Sequence, residues 1–95
     1  MAAPARMRPD IQRKLCRLAH FRRRLLEHYG ISLTKSLIGE LHFAIQKNVK
    51  VRFMWGSPGS QKMAYTVDTR QGSIAVVYDS KRQELVTALP RTAVQ

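Results

Sequence analysis

At Val49 the spacing of apolar residues changes from a helical period to strict alternation, and that change divides the chain into a helical first half and a stranded second half. Val49, Val51, Phe53 and Trp55 alternate with Lys50, Arg52 and Met54, so a strand runs into the turn Ser57-Pro58-Gly59-Ser60. Lys62 to Asp68 reads as a second strand, Gln71-Gly72 as a turn, Ser73 to Asp79 as a third strand, and Glu84 to Leu89 as a fourth that Pro90 ends. Connections this short cannot cross over a sheet, so the strands must form an antiparallel meander. The nearly continuous apolar run from Ile74 to Val77 suits a central strand.

Upstream, the spacing predicts a helix over about 10–29, entered at Pro9-Asp10 and stopped by Gly30 as a left-handed cap. Ile11, Leu15, Leu18, Leu25, Leu26 and Tyr29 fall in one sector of that helix, while Arg13, Arg17, His20 and Arg24 gather opposite. Arg22 sits within the apolar sector, so the helix bends there, frays into two pieces, or lays the arginine stem over the core. A second helix is expected over about 33–48, capped by Ser32 or Thr34, with Leu33, Leu37, Leu41, Ala44 and Ile45 inward. Ile38 and Phe43 widen its apolar surface, and Gly39 suggests close packing at that point. His42 reads as a surface or supporting histidine rather than a ligand. The expected architecture is α+β: two N-terminal helices packed on a four-stranded antiparallel β-meander, with 1–9 a flexible basic arm and 10–95 a single domain.

Seventeen Lys and Arg against six Asp and Glu give a net charge of +11, which draws a protein to nucleic acid, an anionic membrane or an acidic protein. Eight of those cations precede Gly30: Arg6, Arg8, Arg13, Lys14, Arg17, Arg22, Arg23 and Arg24. Such a stripe either binds phosphates or is simply a solvated helix face. Cys16 is the only cysteine, which excludes an internal disulfide and suits a reducing cytoplasm; it reads as a small residue at the edge of the apolar face. No run of apolar residues is long enough for a membrane span or a secretory leader, although an Arg-rich, acid-poor start also fits a mitochondrial transit peptide.

Few acids, no Gly-rich phosphate loop and no paired His/Cys spacing argue against a P-loop, a metal hydrolase or a Rossmann site, so neither metal nor cofactor is expected. Histidine, arginine and hydroxyl side chains remain, and these suffice for metal-free RNA cleavage, in which the substrate's own 2′-hydroxyl attacks. His20 with Arg24 one turn later is the best such pair, against the plainer reading of two neighbours on a wet face. Trp55, with Arg52 and Lys62 nearby, either stacks on an unpaired base or closes a core. Tyr65 and Tyr78 carry the same ambiguity.

The stretch His20-Phe-Arg-Arg-Arg24-Leu-Leu-Glu-His-Tyr-Gly30-Ile31-Ser32, followed by Tyr78-Asp79 and the closing Leu85-Val86-Thr87-Ala88-Leu89-Pro90, resembles small phage and toxin-like domains. Those read His-Ala-x-x-Arg, an Arg-Gly-Ile-Ser turn and a last strand ending in Thr-x-x-Pro, and are grouped with the barnase/EndoU/colicin/RelE-like ribonucleases. The resemblance implies helices followed by an antiparallel sheet, with His20, Arg24 and Thr87 as catalytic residues. The apolar stripe, however, turns His20 away from the sheet that carries Thr87. The expected function is a small basic RNA-binding protein of ribonuclease-toxin type, contacting RNA through Arg13, Arg17, Arg23, Arg24, Arg52, Trp55 and Lys62, with an acidic antitoxin or host protein as a further partner. The alternative is a non-catalytic phage or mobile-element protein that binds a host protein or nucleic acid.

Overall fold

The computed structural model describes residues 9–56 and 61–94, with side chains from Gln12 onward at the N-terminal end. Two helices, α1 (Pro9–Tyr29) and α2 (Lys35–Lys47), precede four strands, β1 (Val51–Trp55), β2 (Lys62–Thr69), β3 (Gly72–Asp79) and β4 (Glu84–Ala88). A short 3-10 turn (Arg91–Ala93) follows. The strands pair antiparallel in chain order, so β3 is central and β1 and β4 are edges, and the expected α+β architecture is the one observed. The predicted arm lies outside the described residues, apart from Pro9, which already belongs to α1.

Both helix ends follow the predicted chemistry. Gly30 takes a left-handed conformation (φ 66°), and its N–H donates to the Leu26 carbonyl. Thr34 caps α2, its hydroxyl accepting from the Leu37 N–H at 3.1 Å. The first strand begins two residues later than expected. Asn48 and Lys50 both adopt φ 55°, so the chain turns through Val49, leaves it exposed, and becomes extended only at Val51.

One sheet face carries the core. Cross-strand rows Val51–Val67–Ile74, Phe53–Tyr65–Val76–Ala88 and Met63–Tyr78–Leu85 lie under the helices, α1 on β4 and α2 on β2. Leu37, Leu41 and Ala44 come down from α2 as predicted. The inward face of α1 differs from expectation. Phe21, Leu25 and Tyr29 are buried, whereas Leu15 and Leu26 are 49% and 55% exposed. The helix is rotated by roughly 45° from the orientation its apolar residues suggest, at 100° per residue. Ion pairs explain the rotation: Arg13 forks onto Glu84 at 2.8 and 3.0 Å, and Arg17 reaches Glu84 at 3.2 Å and Asp79 at 3.3 Å. The acids at the β3–β4 turn draw the arginine row inward ahead of Phe21 and Leu25. α1 stays helical through Arg22, whose side chain is exposed, so the expected break or buried stem does not occur.

The other end of α1 is tied as firmly. The Tyr29 hydroxyl accepts the Ala75 N–H at 3.0 Å where β4 has run out. Arg91 donates to the His28 and Tyr29 carbonyls and places its guanidinium 5.4 Å from the Tyr29 ring centre. Two orphan carbonyls at a helix C-terminus thus meet a cation, the arrangement that the helix dipole favours.

Gly39 is exposed in mid-helix, and a Cβ built there meets nothing within 4 Å, so close packing does not account for it. Gly39→Ala is expected to raise stability by about 1 kcal/mol through backbone entropy alone, read as a higher urea midpoint with an unchanged slope.

Candidate nucleic-acid interface

Alternation along a strand sends every second side chain to the face away from the helices. The register places two rows on that face, Trp55–Ala64–Val77–Thr87 and Arg52–Thr66–Ala75, with Lys62 beyond them; its neighbours Asp79 and Glu84 end the sheet and give their carboxylates to Arg17 and Arg13 of α1. Trp55 and Thr87 therefore end a single row, about 14 Å apart at 4.8 Å per strand, with only Ala64 and Val77 between them. The residues between are closed off, Ala64, Thr66 and Ala75 at 0% exposure and Val77 at 5%, so the accessible groups of this face are those at its border. Two irregularities aim the ends of the row, since pairing shifts between Phe53 and Trp55 in β1 and between Val77 and Tyr78 against β4. Trp55 is 49% exposed, so it does not close a core.

Arg52 lies beside Trp55 and bonds both carboxylate oxygens of Asp68, at 2.9 and 3.2 Å. Asp68 also accepts from the Ser73 hydroxyl, and the Arg52 and Ser73 hydrogen bonds hold its carboxyl below the ordinary range. The Thr66 hydroxyl donates to the Met54 sulfur at 3.1 Å. At the β4 end, the Thr87 hydroxyl bonds the Ala88 carbonyl at 3.4 Å.

The rotation of α1 decides where its predicted site residues lie. Leu15, Leu18 and Arg22 flank a groove shared with Leu33, Lys35 and Ile38, so that side of α1 looks toward the start of α2. His20 and Arg24 are on the opposite flank. His20 Nδ1 is 3.4 Å from Arg23, and Arg24 pairs with Glu27 at 3.0 Å. No hydrogen bond joins His20 to Thr87 among the described residues. The predicted phosphate ligands thus divide. Arg23 and Lys62 are exposed, Arg24 and Arg52 are near or at the surface but pair with Glu27 and Asp68, and Arg13 and Arg17 are held by the buried Glu84 and Asp79.

Asp79 and Glu84 are the polar residues that sequence reasoning passed over, because their turn reads only as polar punctuation. Burial opposes ionisation of Asp79, but the Arg82 N–H and the Arg17 guanidinium outweigh it and hold the carboxyl below its ordinary value. Beneath the helices, the Tyr78 hydroxyl receives Gln46 Nε2 at 3.3 Å and lies 3.2 Å from His42 Nδ1, the two rings meeting edge to face. The i,i+4 spacing of His42 and Gln46 was the available signal for this pair. It belongs to the core side, remote from the Trp55–Thr87 row, and agrees with the reading of His42 as a supporting residue. Cys16 is exposed.

Each acid whose side chain is described has a donor: Glu27, Glu40, Asp68, Asp79 and Glu84 meet Arg24, the Arg70 N–H, Arg52, Arg17 and Arg13 respectively. The charge left over is cationic and on the outside, at Lys14, Arg22, Arg23, Lys35, Lys47 and Lys81 among others. No group of three or more metal-ligating side chains occurs among the described residues, and no described helix is long and apolar enough to cross a membrane. Comparison with protein-family models, curated proteins and solved structures finds no match for this chain.

Burial pushes the His42 ring below the ordinary histidine value, so the unfolded chain takes up that proton more readily than the folded one. The resulting contribution favours unfolding as pH falls. Urea midpoints are expected to drop between about pH 7 and about pH 5, and His42→Leu should flatten that decline whatever it does to stability at pH 7.

Proposed function

We propose that this protein binds RNA as an extended strand laid across the sheet face opposite the helices. Trp55 stacks on a base, Arg52 and Lys62 take phosphates, and the strand leaves past Thr87 toward Arg24 and Arg23 on α1. The observation that carries this reading is the register: Arg52, Trp55, Lys62 and Thr87, scattered over 36 positions of sequence, share one sheet face. An excess of +11, with the described acids already matched, supplies the long-range attraction. An unpaired strand suits an exposed indole at a sheet edge, because a splayed base can stack on it where a paired base cannot.

With about five phosphate contacts, the logarithmic salt slope on single-stranded RNA is expected near −3.5. Changing Arg52, Lys62 and Arg23 together to Ala should reduce it by about 2. Trp55→Ala should weaken binding about tenfold or more per stacked base and leave the slope alone. Unchanged binding by both variants would place the interface elsewhere. Arg13→Ala and Arg17→Ala are unsuited as binding probes, since each strips a cation from a buried carboxylate.

A second reading adds cleavage of the bound strand, with His20 moving the proton, Arg24 holding phosphorane charge and Thr87 positioning the scissile phosphate. What favours it is that α1, which carries His20 and Arg24, packs on β4, the strand that carries Thr87, with Thr87 itself on the sheet's other face. It agrees with the resemblance to barnase/EndoU/colicin/RelE-like ribonucleases. His20→Ala is then expected to slow cleavage of total RNA at least 100-fold with RNA affinity kept, and EDTA to leave the wild-type rate unaltered. RNA left intact by the wild-type protein between about pH 5 and pH 9 would leave the binding module, including the phage or mobile-element form of it, as the better account.

A further inference from the structure

The stripe that the sequence marks as core, and that the structure leaves at the surface, is the largest feature the RNA reading does not use. Leu15, Ala19, Arg22 and Leu26 recur along α1 at intervals of four, three and four residues. The outer leucines are half exposed or more. Leu18 deepens the stripe, and Leu33 and Ile38 from the start of α2 form the facing wall of a groove of about 290 Å³. From Leu15 to Leu26 the stripe is about 16 Å long at 1.5 Å per residue, three turns of helix. Exposed leucines at both ends of such a stripe, with Leu18 and Ala19 between them, are what a helix-in-groove contact can use.

Charge selects the occupant. Arg22 and Lys35 are the charged residues at the groove, and no acid lines it among the described residues. A second copy would bring Arg22 and Lys35 against their own like, on a body of charge +11. We infer that the groove between α1 and the start of α2 docks an amphipathic helix of another protein, with Leu-type anchors at i, i+4, i+7 and i+11 and Glu or Asp at its borders. The leucines supply burial, and the acids meet Arg22 and Lys35 at the rim, where charge governs orientation and rate of encounter. Because His20 and Arg24 are on the other flank of α1, and the Trp55–Thr87 row is on the far side of the sheet, such a helix leaves the RNA surface open.

The test uses the full chain and a labelled synthetic peptide of about four turns, the length that overlaps the stripe. The peptide carries leucines at those four positions and glutamate at most others, and is compared with a scrambled isomer of the same composition. The expected result is at least tenfold tighter binding of the amphipathic peptide, with a gain of helicity on binding. Leu15→Ser and Leu26→Ser should each weaken it about tenfold, and Arg22→Glu more at low salt than at high. Both leucines are exposed, so these variants fold, and unchanged RNA affinity in them separates this surface from the RNA-binding one. Equal affinity for the scrambled isomer, or peptide binding that ignores the leucine changes, would overturn the assignment. So would a dimer of the protein alone that Leu15→Ser dissociates, which would give the groove to a second copy.

Discussion

The attachment of Arg13 and Arg17 to Glu84 and Asp79 governs the arrangement of everything around α1. A helix this cationic offers a narrow strip of apolar surface, and three residues, Phe21, Leu25 and Tyr29, bury almost all of what it contributes. Such a strip alone would hold a three-turn helix. The turns before Phe21 are held because two arginines find two carboxylates that the sheet has largely removed from water. The forked Arg13 contact adds direction as well as attraction, since both oxygens of Glu84 are bonded to one guanidinium nitrogen in a partly sheltered place. Removing one partner leaves a buried charge, so the cluster stabilises as a unit and not as a sum of pairs.

From that orientation follows the division of labour around the helix. One flank keeps His20 and Arg24; the other keeps Leu15, Leu18 and Arg22 in a groove with the start of α2, with Leu26 exposed on the same side of the helix. The sheet is divided in the same manner. Its covered face takes the branched and aromatic side chains, and its other face takes alanine, threonine and small valine rows bounded by Trp55, Arg52 and Lys62. The small residues of that face are buried, so its exposed groups are the ones at its border.

The elements were legible because each rests on local chemistry. Gly30 with its positive φ, Thr34 as a cap and the Ile74–Val77 run each have one physical meaning, and the structure keeps them. What was not legible depends on distant partners. No periodicity in α1 shows that Arg13 will face inward, because the reason is Glu84, 71 positions away. Val49 alternates perfectly with Val51, yet left-handed turns at Asn48 and Lys50 exclude it from the strand. For the candidate interface, residue types singled out Arg52, Trp55, Lys62 and Thr87, but their common face emerges only from the pairing register and its two irregularities.

The clamp at the far end of α1 bears on how the domain is made. The first helix lies on the last strand, its terminal tyrosine completes hydrogen bonding at Ala75, and Arg91 seals its final carbonyls. None of these partners exists when the helix leaves the ribosome. Until β4 and Arg91 have followed it out, a segment rich in arginine, with every leucine uncovered, stands beside the most abundant polyanion in the cell. The native contacts of the first helix are therefore complete only when the last strand and Arg91 are in place.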